Sequence, residues 1–257
     1  MAVQNTKASP ILTLREHITS LEAAIALCLA DPKPKPVHQI RTATRRIEAD
    51  LTLLGLLPGL PEHAKPAAKV QRLLRKLRRA AGHVRDIDVE RDLLKPYRQD
   101  ESRRLRRHLK QRREAEASDL HHLLKSLDPA ALERLQKALS SAQSTTLSAA
   151  QLAGFAEDWF ARQTADLDLQ TEADDDRLHT IRKAAKLARY IAESAPQPHR
   201  LAQRFERIQQ LGGEWHDFLA LAETAKRFLG TKSPLTVSLI SQRDHALITF
   251  RESCLPA

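Results

Sequence analysis

Val37–Leu54 reads VHQIRTATRRIEADLTLL, and Leu178–Ser194 reads LHTIRKAAKLARYIAES. At one constant offset His38 falls on His179, Ile40 on Ile181, Arg41 on Arg182, Ala43 on Ala184 and Arg45 on Lys186. Apolar residues recur at helical rather than strand spacing, which predicts two amphipathic helices. Counted at 100° per residue from His38, Arg45 and Arg41 lie within about 60° of the histidine, while Ala43, Ile47, Leu51 and Leu54 gather roughly opposite. In the second copy His179, Arg182 and Lys186 hold the same directions. Lys183 and Arg189 widen that arc, and Ile181, Ala184, Ala188 and Ala192 lie across from it.

A second pair of segments follows in the same order. Lys69–Asp86 aligns with Arg200–Asp217, setting Leu74 on Phe205, Lys76 on Arg207, Leu77 on Ile208, Gly82 on Gly213 and Asp86 on Asp217. Two blocks repeated in one order imply a duplicated unit. In the first copy Lys69, Arg72, Arg75, Lys76 and Arg79 share one arc, with Val70, Leu73, Leu74, Leu77 and Ala81 on another. In the second copy Arg200 and Arg207 remain, but Gln203, Glu206, Gln209 and Gln210 replace the other cations, so an anion site is expected to lean toward the first half.

Aromatic residues make up only 4% of the 257 residues, and the long segments are rich in Ala, Leu, Arg, Lys, Glu and Gln. That usage predicts an all-α fold without a sheet. Ser9-Pro10, Asp128-Pro129 and Ser233-Pro234 are helix starts, a capping side chain followed by a proline whose missing N–H costs nothing in the first turn. Breakers at Asp31–Pro36, Pro58–Pro61, Gly82, Pro96, Pro196–Pro198, Gly212-Gly213 and Gly230 divide the chain into eight to ten helices, as in helix bundles. The small polar segment Ser140–Ser148 is the expected boundary within a single 1–257 domain, between a first helical half at 9–142 and a second at 143–257. In Leu169–Arg177, Asp174 to Asp176 are expected to cap the following helix.

Lys and Arg outnumber Asp and Glu by 42 to 32, a formal charge of +10. Such a field attracts nucleic acid, anionic membrane or polyphosphate without choosing among them. Cys28 and Cys254 form no disulfide framework and no CxxC pair, no stretch is long and apolar enough to span a membrane, and the N-terminus lacks a secretory pattern. These features point to a cytoplasmic protein without membrane attachment.

VHQIRTATRRIEADLTLL, AGHVRDIDVERDLL and LHTIRKAAKLARYIAES together resemble the conserved histidine α-helical domain family, CHAD, and with the helices between them the resemblance covers nearly the whole chain. It implies two four-helix bundles related by a pseudo-twofold, with a basic surface between them that binds inorganic polyphosphate. The family's basic positions map onto His38, Arg41, Arg45 and Arg46, and onto His179, Arg182, Lys183, Lys186 and Arg189. Lys69, Arg72, Arg75, Lys76, Arg79 and Arg207 join them from the second block. The second half departs from the first at His216-Asp217 and Leu219, where the first reads Arg85-Asp86 and Asp88.

Polyphosphate presents a line of charge and no base edges, so many donors in a groove suit it better than a specific code. Arg offers planar forks, Lys a mobile point charge, and His a donor whose charge a polyanion favours. No Walker A loop, Gly-rich phosphate cradle, HExxH or Cys/His metal constellation is present, and neither a catalytic residue, a cofactor nor a metal site is expected. The Arg103–Arg113 segment spreads its cations around its helix beside Glu101, Glu114 and Glu116, which suits a solvated face. Three other functions remain open: nucleic-acid binding, which would gain from interleaved aromatics; phosphotransfer through His38 or His179; and docking to other proteins on polyphosphate granules.

Overall fold

The structure is a computed structural model that describes residues 7–165, 175–195 and 200–254, with the side chains of Asp175 and Arg200 excluded. The acidic stretch 169–174 and the Pro196–Pro198 breaker lie outside the described residues. Among those described there are nine α-helices: α1 (Pro10–Ala30), α2 (Pro34–Leu56), α3 (Ala64–Leu93), α4 (Asp100–Lys125), α5 (Ala130–Ala138), α6 (Ala149–Thr164), α7 (Asp175–Glu193), α8 (Arg200–Leu229) and α9 (Pro234–Cys254).

The predicted starts are capped as their side chains require. Ser9 Oγ accepts from Leu12 N, Asp128 Oδ1 from Ala130 N and Ser233 Oγ from Thr236 N, at 3.5, 2.9 and 3.4 Å. Ser148 and Gln151 close a reciprocal capping box at α6. Gly82 and Gly212-Gly213 do not break helices. They lie inside the 30-residue α3 and α8, because tertiary packing outweighs the roughly 1 kcal/mol that a mid-helix glycine costs. The expectation of no sheet also fails, by one short ribbon. Lys7–Ala8, which precedes the cap of α1, pairs antiparallel with Leu147–Ser148, which starts α6. Residues before an N-cap are extended, so two such segments lying side by side satisfy each other's backbone groups.

The helices form two bundles, α1–α4 and α6–α9, each with its own core. The short α5 packs on α3 as an addition to the first. Leu132, Leu135 and Leu139 are buried in the first core, and Leu147 and Leu152 in the second. The bundles meet where α2 packs on α7 and α3 on α8. Ala49 and Leu53 of α2 reach into the second core. A third apolar cluster joins the bundles: Ile87, Leu94, Leu105 and Leu109 from the α3–α4 corner pack with Leu221, Ala222 and Ala225 of α8 and Leu235 and Leu239 of α9. Two polar bonds flank it, Thr224 Oγ1 to the buried Glu90 at 3.1 Å and Leu235 N to Glu101 at 3.1 Å.

Candidate functional site

The copies of the first duplicated block become α2 and α7, and both direct their polar arcs into one cleft of about 1120 Å³ between the bundles. His38, Arg41 and Arg45 line it from α2, and His179, Arg182, Lys183, Lys186 and Arg189 from α7. The adjoining helices contribute Arg78, Arg85 and Asp86 from α3 and His216 and Asp217 from α8.

Two glycines make room for two arginines. A Cβ on Gly82 would stand 2.9 Å from Nη1 of Arg41, so Arg41 lies directly against the α3 backbone, where the same nitrogen donates to Asp86 at 3.0 Å. A Cβ on Gly212 would meet Cγ of Arg182 at 3.1 Å and Cζ of Phe250 at 2.7 Å, and the Asp217 carboxylate lies close enough to act electrostatically on Arg182. Sequence alignment pairs Gly82 with Gly213, but nothing approaches within 4 Å of a Cβ there. The close approach falls on the neighbouring glycine.

Crowding like charges into a half-buried space weakens their hold on protons. Lys186 is pushed down to about 6, first by burial and then by Arg45, Arg182 and Arg41. His179 falls to about 4 through burial, Arg182 and Lys183, and its ring stacks on His216 at 5.4 Å. Burial, Arg85 and Arg41 lower His38 in the same sense. Arg45 drops to about 10, again mainly by burial, and so remains cationic at neutral pH. A few carboxylates temper the repulsion: Glu48 binds Arg78, and Arg189 reaches Glu193 at 3.3 Å and Glu206 at 3.2 Å while lying over the Tyr190 ring.

Seven residues expected at the site are placed elsewhere. Lys69, Arg72, Arg75, Lys76, Arg79 and Arg207 are exposed and do not line the cleft, and Arg46 lines a neighbouring groove between α1 and α2. A helical wheel separates core from non-core on α3 but does not say which polar flank meets a neighbouring bundle. From Lys69, Arg85 and Arg78 lie at about 160–180°, beside the core arc rather than in the loud cationic arc. Asp86 and Asp217 had a signal in their repeat pairing; nothing local distinguished Arg78.

The basic segment of α4 is partly structural. Arg113 donates to the buried Asp88 at 2.5 and 3.3 Å and to Pro32 O at 2.8 Å, and Arg106 donates to Tyr97 O at 3.3 Å. Glu101 and Glu116 bond to Leu235 N and His83 instead of bracing their own helix. None of the α4 cations lines the cleft. Among the described residues no cluster of three or more His, Cys, Asp or Glu could hold a metal, and no helix is long and apolar enough to cross a membrane.

Fold and site together define a two-bundle helical protein with a cationic cleft between the bundles. The family model of the CHAD domain matches residues 12–226, and the chain belongs to the CHAD family, whose members are non-catalytic modules associated with polyphosphate. Two solved structures share the fold. PptA from Streptomyces chartreusis aligns with a TM-score of 0.66 at 15% identity, covering 96% of this chain and 99% of that one. The CHAD domain from the plant Ricinus communis aligns with a TM-score of 0.68 at 16% identity, covering 100% and 96%. A search of curated proteins finds no match.

Proposed function

We propose that this chain is a single CHAD module, built from duplicated halves 9–142 and 143–257, that binds inorganic polyphosphate in the inter-bundle cleft without consuming it. The observation that carries the reading is the convergence of both duplicated arcs on one space, where burial and neighbouring arginines hold Lys186 and His179 short of their protons. A fixed array of donors loses little entropy on binding, and a polyanion removes the repulsion while releasing its counterions. The working residues of this reading are His38, Arg41 and Arg45 facing His179, Arg182, Lys186 and Arg189, with Arg78 and Arg85 contributed by α3.

Charge position and charge count can be separated. Replacing Arg41, Arg45 and Arg182 by Gln should weaken binding of long-chain polyphosphate far more than replacing Arg104, Arg107 and Lys110, although each triple removes the same charge. Affinities measured at several salt concentrations, with circular dichroism to show an intact fold, decide between them. Equal losses would mean that the overall field governs binding. DNA, RNA and nucleoside triphosphates at matched charge should compete poorly with polyphosphate.

A further inference from the structure

Thr42 lines two spaces: the inter-bundle cleft and a smaller groove of about 340 Å³ between α1 and α2. Among the described residues the polar side chains of the groove are His17 and Ser20 on α1 and Gln39, Thr42 and Arg46 on α2, with no carboxylate in its lining. His17 is held in place. Its Nδ1 lies 2.6 Å from Oδ2 of Asp50, a carboxylate only 3% exposed beneath it, which leaves Nε2 as the ring nitrogen available to a ligand. Arg46 is exposed and close enough to act electrostatically on Asp50.

The helix itself connects the two spaces. Taking His38 as zero, Arg41, Arg45, His38, Thr42 and Arg46 follow one another around α2 at about 300°, 340°, 0°, 40° and 80°. Donors therefore run without interruption from the cleft over the crest of α2 into the groove. A linear polyanion longer than the cleft must leave it somewhere, and the neighbouring walls carry Glu48, Asp86, Glu214 and Asp217. The described residues that line the groove beyond Thr42 are neutral or cationic.

We infer that the groove formed by His17, Gln39, Thr42 and Arg46 is a second oxyanion subsite, which holds phosphates of a chain that exits the cleft over Thr42. This inference rests on the cleft reading and extends it: the protein grips long chains by wrapping them around α2. The Asp50–His17 pair acts as a positioning element, since a fixed imidazole edge needs no ordering when phosphate arrives.

The test compares chain lengths on the full chain, with tripolyphosphate and long-chain polyphosphate as probes and orthophosphate as a control for an independent small-anion site. Arg46→Gln should weaken long-chain binding roughly tenfold, as loss of one charge-assisted contact implies. It should also lower the slope of log K against log salt by about 1. Tripolyphosphate binding should fall several times less. Gln39→Glu, which introduces a negative charge without touching Asp50, should show the same chain-length dependence. Equal losses for both probes, no loss for long chains, or orthophosphate that competes at the groove as well as long chains do would each overturn the inference. Binding that ignores the Arg41, Arg45 and Arg182 substitutions but yields to Arg46→Gln would contradict the cleft reading instead, so the two failures are distinguishable.

Discussion

The two bundles are joined in opposite ways at two places. Around Ile87, Leu105, Leu109, Leu221 and Leu239 the joint is apolar, with Glu90 and Thr224 supplying a buried hydrogen bond. Across the cleft, α2 and α7 face each other with basic side chains whose proton affinity is lowered first by burial and then by one another. The apolar joint and the α2–α7 packing keep the bundles together, so the cations cannot relieve their repulsion by moving apart. Hydrophobic burial supplies the cohesion, and the electrostatic cost sits where a polyanion would remove it.

The largest effect should come from opening the apolar joint. Leu221 is fully buried, so Leu221→Ala should cost about 2–5 kcal/mol in urea unfolding, from lost transfer energy and the cavity left behind. A loss below about 1 kcal/mol would mean that the site collapses and the joint contributes little. Next come the paired glycines of α8. Gly212→Ala forces a methyl into the Phe250 ring and against Arg182, and should destabilise by roughly 1–3 kcal/mol. Gly213→Ala, with open space around it, should be neutral or stabilise by up to about 1 kcal/mol as a helix-interior alanine. Reversed signs would assign the close approach to the wrong glycine.

The smaller effect belongs to the cleft and has the opposite sign. Lys186→Met removes a half-buried amine from among three arginines, and with it the cost of keeping that amine short of its proton, and should raise stability by on the order of 1 kcal/mol while weakening polyphosphate binding. The pH dependence follows from the lowered proton affinity of Lys186. Below about 6 the folded and unfolded states both carry the proton, and burial of the charge beside the arginines costs stability in full. Between about 6 and the ordinary lysine value of 10.5 the unfolded chain holds a proton that the folded chain has released, so stability rises with pH. The advantage of Lys186→Met over wild type should therefore shrink from pH 7 to pH 9, a window above the titration of Glu90 near 6 and His179 near 4. A constant difference would place the lysine in an ordinary solvated position.

Much of this arrangement was legible in the sequence, for identifiable reasons. Proline starts and capping side chains marked α1, α5 and α9, because their effect is local. The 3.6-residue period of Ala43, Ile47, Leu51 and Leu54 exposed the polar arc of α2, and duplication repeated it on α7. Glycines were misread where local preference met tertiary demand: Gly82 and Gly212 lie mid-helix because arginines cross them. The ribbon Lys7–Ala8 with Leu147–Ser148 is too short to leave a period. On α3 the loudest cations, Lys69, Arg72, Arg75, Lys76 and Arg79, occupy the solvent face, and Arg78 and Arg85 face the cleft. A wheel defines a helix against one core, whereas the cleft is defined by a second bundle.

The central claim, that a polyanion engages basic groups which burial and neighbouring arginines hold short of their protons, is tested most directly by proton linkage. Titration calorimetry of long-chain polyphosphate into the protein at pH 7.5, in two buffers of different ionisation enthalpy, counts the protons that move on binding. Bound phosphate raises the proton affinity of Lys186 and His179, so the account predicts uptake of about one proton, reduced in Lys186→Met, with affinity strengthening as pH falls from 8 to 6.5. Binding with no proton uptake in wild type, and the same heat in both buffers, would contradict it.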